Sequence, residues 1–156
     1  MAIHLIAVGA RMPAWVNAGV ADYASRLSRE WGLRLIEIAT GRRHKNSVLA
    51  RTLQDESVRL QAAIPAGALV IALDERGQQW DSQELAQRLA GWLQEGRDVA
   101  LLVGGPDGLA VDCRRRADHI WSLSKLTLPH LLVRIVVAEQ IYRAWSIFHH
   151  HPYHRA

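Results

Sequence analysis

Cysteine is almost absent from this sequence: Cys113 stands alone among 156 residues. A lone cysteine closes no internal disulfide, so nothing in the chain calls for an oxidising compartment. A small buried hydrophobe is the favoured role for it over a reactive thiol. Uninterrupted apolar stretches of membrane length are missing as well. The most apolar long stretch, Leu131 to Phe148, carries Arg134, Glu139 and Arg143 through its middle, which argues against a membrane span. The opening run Ile3 to Val8 contains His4 and is too short for the hydrophobic part of a signal peptide. A cytoplasmic protein with no membrane partner is therefore the default expectation.

The common nucleotide and hydrolase signatures are absent too. Gly9 is followed by Ala10-Arg11-Met12 rather than G-x-G-x-x-G, and no G-x-x-x-x-G-K-[ST] loop occurs, which disfavours dinucleotide and P-loop sites. No G-x-S-x-G elbow is present. Three adjacent histidines, His149 to His151, lack an accompanying Cys or carboxylate cluster, and successive side chains diverge, so no metal site is expected. There are no internal repeats, low-complexity tracts or linkers.

What is present is the balance of a globular protein, 49% hydrophobic and 22% charged, at a length that supports one core. Basic residues lead acidic ones by 19 to 15. They cluster at Arg42, Arg43 and Lys45 and at Arg114 to Arg116, which suits phosphate contacts, although such a run is more often a solvated face. Short apolar runs alternate with amphipathic ones. Strands are expected at Ile3 to Val8, Leu33 to Ile38, Ala68 to Leu73, Val99 to Val103 and His119 to Leu123. Ala68 to Leu73 and Val99 to Val103 are continuously apolar, as strands buried on both faces are. Helices are expected from Pro13 to about Arg29, Ser47 to Ala63, Asp81 or Ser82 to Gln94, Asp112 to Ala117, and Pro129 to Phe148. In the first, Trp15, Val16, Val20, Tyr23, Ala24 and Leu27 share a face. Asp74 to Gln79 has the composition of a turn. Strands separated by such helices predict one α/β domain over residues 1–156, with a mainly parallel sheet and helices on both faces.

Open sheets of this kind bind ligands beyond the carboxyl ends of their strands. Three such loops stand out: Leu73-Asp74, Gly104-Gly105-Pro106-Asp107-Gly108, and Leu123-Ser124-Lys125-Leu126-Thr127-Leu128 leading into Pro129-His130. They enclose one crevice if their strands are neighbours. Gly104 and Gly105 let a flat ligand approach the backbone, although a glycine turn alone is weak evidence. The final helix is apolar nearly all round, which predicts cover on two sides, the sheet on one and a second subunit on the other. Glu139 and Arg143 have the spacing of an ion pair. The polar tail that follows has the groups to fold over the crevice.

Gly104 to Gly108, Leu123 to His130, Glu139-Gln140-Ile141-Tyr142-Arg143-Ala144 and Tyr153-His154-Arg155 together resemble the ribosomal RNA large-subunit methyltransferase H family, the pseudouridine N3-methyltransferases of the SPOUT superfamily. Val8 to Pro13 and the segment Gly41 to Asn46 are also similar to it. Each motif is modest, but the set covers the chain in order. The resemblance implies a SPOUT-type domain with a C-terminal trefoil knot, normally a homodimer. It implies S-adenosyl-L-methionine as donor, contacted by Leu73, Gly105, Leu123, Ser124, Lys125, Leu126, Thr127 and Leu128. The implied substrate is a pseudouridine of 23S ribosomal RNA within the assembled ribosome.

Methylating a ring nitrogen requires alignment with the donor methyl group and removal of the imide proton. Histidine accepts protons near neutral pH, which makes His130 and His154 candidates for the base. Tyr153 is a candidate for stacking on or bonding to the displaced base. Arg11, Arg42, Arg43, Lys45 and Arg155 are candidate RNA contacts. The competing expectations are a SPOUT enzyme acting on transfer RNA, a ribosome-binding protein without activity, and, weakest, a metal role for the histidine tail.

Overall fold

The computed structural model describes residues 2–41 and 48–155. Five strands form one sheet in the order β2-β1-β4-β3-β5, with β1 (Ala2–Val8), β2 (Gly32–Ile38), β3 (Leu69–Gln79), β4 (Val99–Val103) and β5 (His119–Ser122). All neighbouring pairs are parallel. Parallel strands need crossovers, which α1 (Ala14–Ser25), α2 (Leu49–Ala62), α3 (Ser82–Gln94) and α4 (Val111–Arg116) provide before α5 (His130–Phe148) closes the fold. Asp81 caps α3, its carboxylate accepting the Glu84 N–H at 2.8 Å.

The period of two along each strand divides the core into two layers. Ile3, Leu5, Ile71 and Leu101 face Leu85 and Leu89 of α3 and Val137 and Ile141 of α5. The intervening Ile6, Val70 and Leu102 face Leu60 of α2 and Cys113 of α4. Cys113 is thus a buried hydrophobe, and burial pushes its thiol above the ordinary value.

Four local expectations change. The first helix ends at Ser25, and a turn and a 3₁₀ helix at Arg29–Trp31 follow it. Leu27 keeps its contact with the core from that turn, while Trp15 is 53% exposed. β3 does not stop at Leu73. Leu73 and Gln78 both lie opposite Trp121, so residues 74–77 swing out of the ladder and the strand resumes. Gly77 makes this possible, since a Cβ there would come 2.6 Å from the Ile120 carbonyl group. The turn-like composition of Asp74 to Gln79 marks that excursion. The strand expected to reach Leu123 ends at Ser122.

The last change concerns α5. It lies between α1 and α3 over the sheet, with the tail on its C-terminal half. Its own chain therefore covers flanks that the sequence pattern assigns to a second subunit. Among its large apolar residues only Leu132 and Phe148 are exposed, at 39% and 42%. The Glu139–Arg143 pair forms, at 2.8 Å.

At the amino ends of the central strands, His4 Nε2 lies 2.9 Å from the Asp98 carboxylate, whose other oxygen accepts the Ala2 N–H at 3.1 Å. The His4 hydrogen bond, then that of Ala2, holds the Asp98 carboxyl below its ordinary 3.8. A carboxyl lowered by folding contributes stability above its unfolded pKa, and that contribution is lost as pH falls through the folded value. Asp98→Asn is expected to flatten the acid limb of the stability curve below about pH 4. Thermal unfolding across that range checks it, and an unchanged limb would contradict the pairing. In the core, Leu101→Ala should cost about 2–5 kcal/mol in urea unfolding.

Candidate active site

Because all five strands run the same way, their carboxyl ends share one side of the sheet. β4, β3 and β5 are consecutive neighbours there, so the loops that follow them surround one cavity of about 640 Å³. That volume suits a small-molecule ligand. The walls are the end of β3 with its excursion, the glycine turn after β4, and the loop between β5 and α5.

The glycine turn is built by close backbone approach. Gly108 donates to the Gly105 carbonyl at 3.0 Å and takes a φ of +77°. A Cβ on Gly104 would lie 2.4 Å from the Gly108 carbonyl carbon, so this turn excludes any side chain at 104. The opposite wall is fixed by its own hydroxyls. Ser122 Oγ donates to the Ser124 carbonyl at 3.0 Å, and Ser124 Oγ accepts the Leu126 N–H at 2.9 Å. Thr127 Oγ1 reaches Glu75 at 3.4 Å across the mouth. Leu126 itself is 73% exposed at the rim.

Asp74 opens the excursion of β3 and is held by Arg76, through both side chain and backbone, and by Arg114 at 3.3 Å. Partial burial works to raise its carboxyl. The Arg76 hydrogen bonds and the charges of Arg76 and Arg114 outweigh it and keep the group below the ordinary carboxylate value. Asp74 therefore stays an anion on the cavity wall.

Seven of the eight expected donor-binding residues line this cavity: Leu73, Gly105, Leu123, Ser124, Leu126, Thr127 and Leu128. Lys125 belongs to the same loop but is not on the wall. His130, at the first turn of α5, is on it. Tyr153 and His154 are not. The Tyr153 hydroxyl donates to Glu139 at 3.0 Å, and His154 Nδ1 lies 3.0 Å from the Ser146 hydroxyl. Glu139 is nine residues along α5 from His130, about 13 Å at the helical rise. The tail therefore packs on its own α5 and does not fold over its own cavity. Burial, then the Glu139 hydrogen bond, pushes the Tyr153 phenol far above its ordinary value, so it remains a proton donor.

Arg11 is exposed on the turn after β1 in left-handed backbone, φ +58°. Arg155 is exposed beside the tail. Arg42, Arg43 and Lys45 lie outside the described residues. Asp74, Arg114 and Trp121 line the cavity without having been singled out as site residues. Asp74 had a signal, an acid directly after a buried strand, and Arg114 had one as part of a basic cluster; Trp121 had none, because it meets Leu73 and Gln78 only through the register shift of β3. Among the described residues, no group of His, Cys, Asp or Glu is placed to hold a metal ion, and no helix is long and apolar enough to cross a membrane.

Residues 1–154 match the family model described as "Predicted SPOUT methyltransferase". The chain is 58% identical to the ribosomal RNA large subunit methyltransferase H of Thioalkalivibrio sulfidiphilus, covering 99% of both chains. It is 55% identical to the protein of the same name from Methylococcus capsulatus, over 99% of this chain and all of that one. A probable methylase from Haemophilus influenzae shares the fold with a TM-score of 0.57 at 12% identity, covering 99% of this chain and 70% of that one. A probable methyltransferase from Bordetella pertussis does so with a TM-score of 0.54 at 17% identity, over 91% and 95% of the two chains. With a family match over nearly every residue and the site formed at the carboxyl ends of β3, β4 and β5, this chain belongs to the SPOUT methyltransferase family.

Proposed function

We infer that this protein transfers the methyl group of S-adenosyl-L-methionine to N3 of a pseudouridine in 23S ribosomal RNA, acting in the cytoplasm on assembled ribosomes as a homodimer. The observation that carries the inference is the near-complete match to ribosomal RNA large subunit methyltransferase H proteins, joined to a cavity built from the motifs of that resemblance. The trefoil knot belongs to the same inference. It rests on the family match alone.

The cavity fits the donor in size and in its close backbone approach. Apolar Leu73, Leu123 and Leu128 suit an adenine ring, and the Gly104–Gly108 turn lets it lie against peptide groups. The lining sets the acids Asp74, Glu75 and Asp107 against Arg76 and Arg114, and that acidic excess favours a cationic ligand. When bound, the donor supplies an already activated methyl group on a sulfonium. The chain's own residues align it with the ring nitrogen and exclude water, which accounts for up to roughly 7–11 kcal/mol in favourable cases. As the N–C bond forms and the C–S bond breaks, the N3 proton must leave, and His130 on the cavity wall would take it. Its place on the wall favours His130 over His154 as the base within one chain. Tyr153, His154 and Arg155 lie too far along α5 to serve their own cavity, so their part in catalysis requires the cavity of a second copy. Arg11, Arg42, Arg43, Lys45 and Arg155 would hold RNA phosphates.

Labelled S-adenosylmethionine incubated with undermodified ribosomes tests this reading. N3-methylpseudouridine should appear in large-subunit RNA by mass spectrometry, and His130→Ala should slow its formation about 10²–10⁴-fold. Label in transfer RNA, with none in ribosomes, would overturn the substrate. Gly104→Ala should weaken donor binding in calorimetry by about tenfold or more, since the new Cβ forces the turn open at a cost of about 1–3 kcal/mol. Undiminished binding would remove the donor from this cavity.

A further inference from the structure

Arg134 is the largest fully buried side chain among the described residues. Its Nη1 lies 2.9 Å from the Glu37 carboxylate on β2, and its Nη2 donates to the carbonyls of Val8 at 3.1 Å and Gly9 at 2.7 Å. Its Nε has no partner. Burying a guanidinium carries a desolvation cost that such contacts at best offset, and an apolar residue of similar volume is often as good for stability. Stability alone is therefore a weak reason for an arginine at this place.

The contacts converge on the turn between β1 and α1. Gly9 has a φ of +119°, and Arg11 holds a left-handed φ of +58° without being glycine. Such a conformation persists where the surroundings over-determine it. The Gly9 N–H is bound to Ile38 of β2 at 2.7 Å, and the Gly9 carbonyl to Arg134. The turn is thus gripped from both sides. Arg134 sits one helical turn after His130, next to Val133, which also lines the cavity. One side chain ties the backbone that carries Arg11 to the helical turn that forms the cavity wall.

We propose that Arg134 is a positioning residue: it fixes Arg11 at a set distance from His130, so that an RNA phosphate held by Arg11 places the target base over the cavity. The proposal rests on the RNA substrate inferred above. Glu37 orients the guanidinium from the exposed side and shares this role. Neither residue touches donor or RNA.

Arg134→Lys keeps charge and most of the volume but cannot span both carbonyls and Glu37. It should raise the KM for ribosomes roughly tenfold, as expected for loss of a charge-assisted contact, with kcat and donor affinity nearly unchanged. Arg11→Ala should raise KM similarly, and the double variant should be no worse than Arg134→Lys alone, because both act through one contact. Amide exchange of residues 9–13 should quicken in Arg134→Lys and in the milder Glu37→Gln. A lowered Tm with unchanged KM, an ineffective Arg11→Ala, or effects that multiply in the double variant would each overturn the proposal. Unchanged amide exchange would overturn it whatever the substrate. If wild-type protein labels no ribosomal RNA, the functional reading fails separately, and exchange still reads the clamp.

Discussion

Everything functional in this molecule depends on the parallel sense of its sheet. An antiparallel hairpin would send successive loops to opposite edges. Here each strand is returned to its start by a helix, so every strand-to-helix loop emerges on the same side. The order β4-β3-β5 then makes three of those loops adjacent. The cavity is a consequence of that order and needs no special scaffold. Its chemical character comes from what the strand ends carry: apolar Leu73, two glycines after Val103, and the polar turn after Ser122.

Within this frame, charge is placed where backbone must be held. Asp98 fastens the amino ends of the sheet through His4 and Ala2. Asp74 fastens the excursion of β3 through Arg76 and Arg114. Arg134 fastens the β1–α1 turn to α5. In each case the charged group serves main-chain N–H or C=O groups that the ladder leaves unpaired, the usual reason for polar groups near a core.

The sheet was legible in the sequence because buried strands are short, apolar and bounded by glycine or proline. Val99 to Val103 and Ala68 to Leu73 announce themselves in this way, and the loops after them and after β5 lie where the cavity lies. The illegible parts have physical causes. The return of β3 to its ladder depends on Gly77 fitting against Ile120, a tertiary contact with no local pattern. The end of α1 falls at Ser25 although Leu27 continues the helical spacing, since a turn presents Leu27 to the core equally well. The breadth of the apolar surface on α5 indicated two-sided burial but not which element buries it. Arg134 stood out only as a charge unsuited to a membrane, because what it grips is remote in sequence. The tail's motif was visible, whereas its docking on Glu139 and Ser146 was not.

The loops after β3, β4 and β5 are proposed to form the methyl-donor site. An experimental structure of the protein with S-adenosylmethionine bound tests it most directly. The account predicts the adenine ring between the Gly104–Gly108 turn and residues 123–128, with the methyl group facing the His130 side of the cavity. A donor seated elsewhere, touching neither the glycine turn nor residues 123–128, would contradict it.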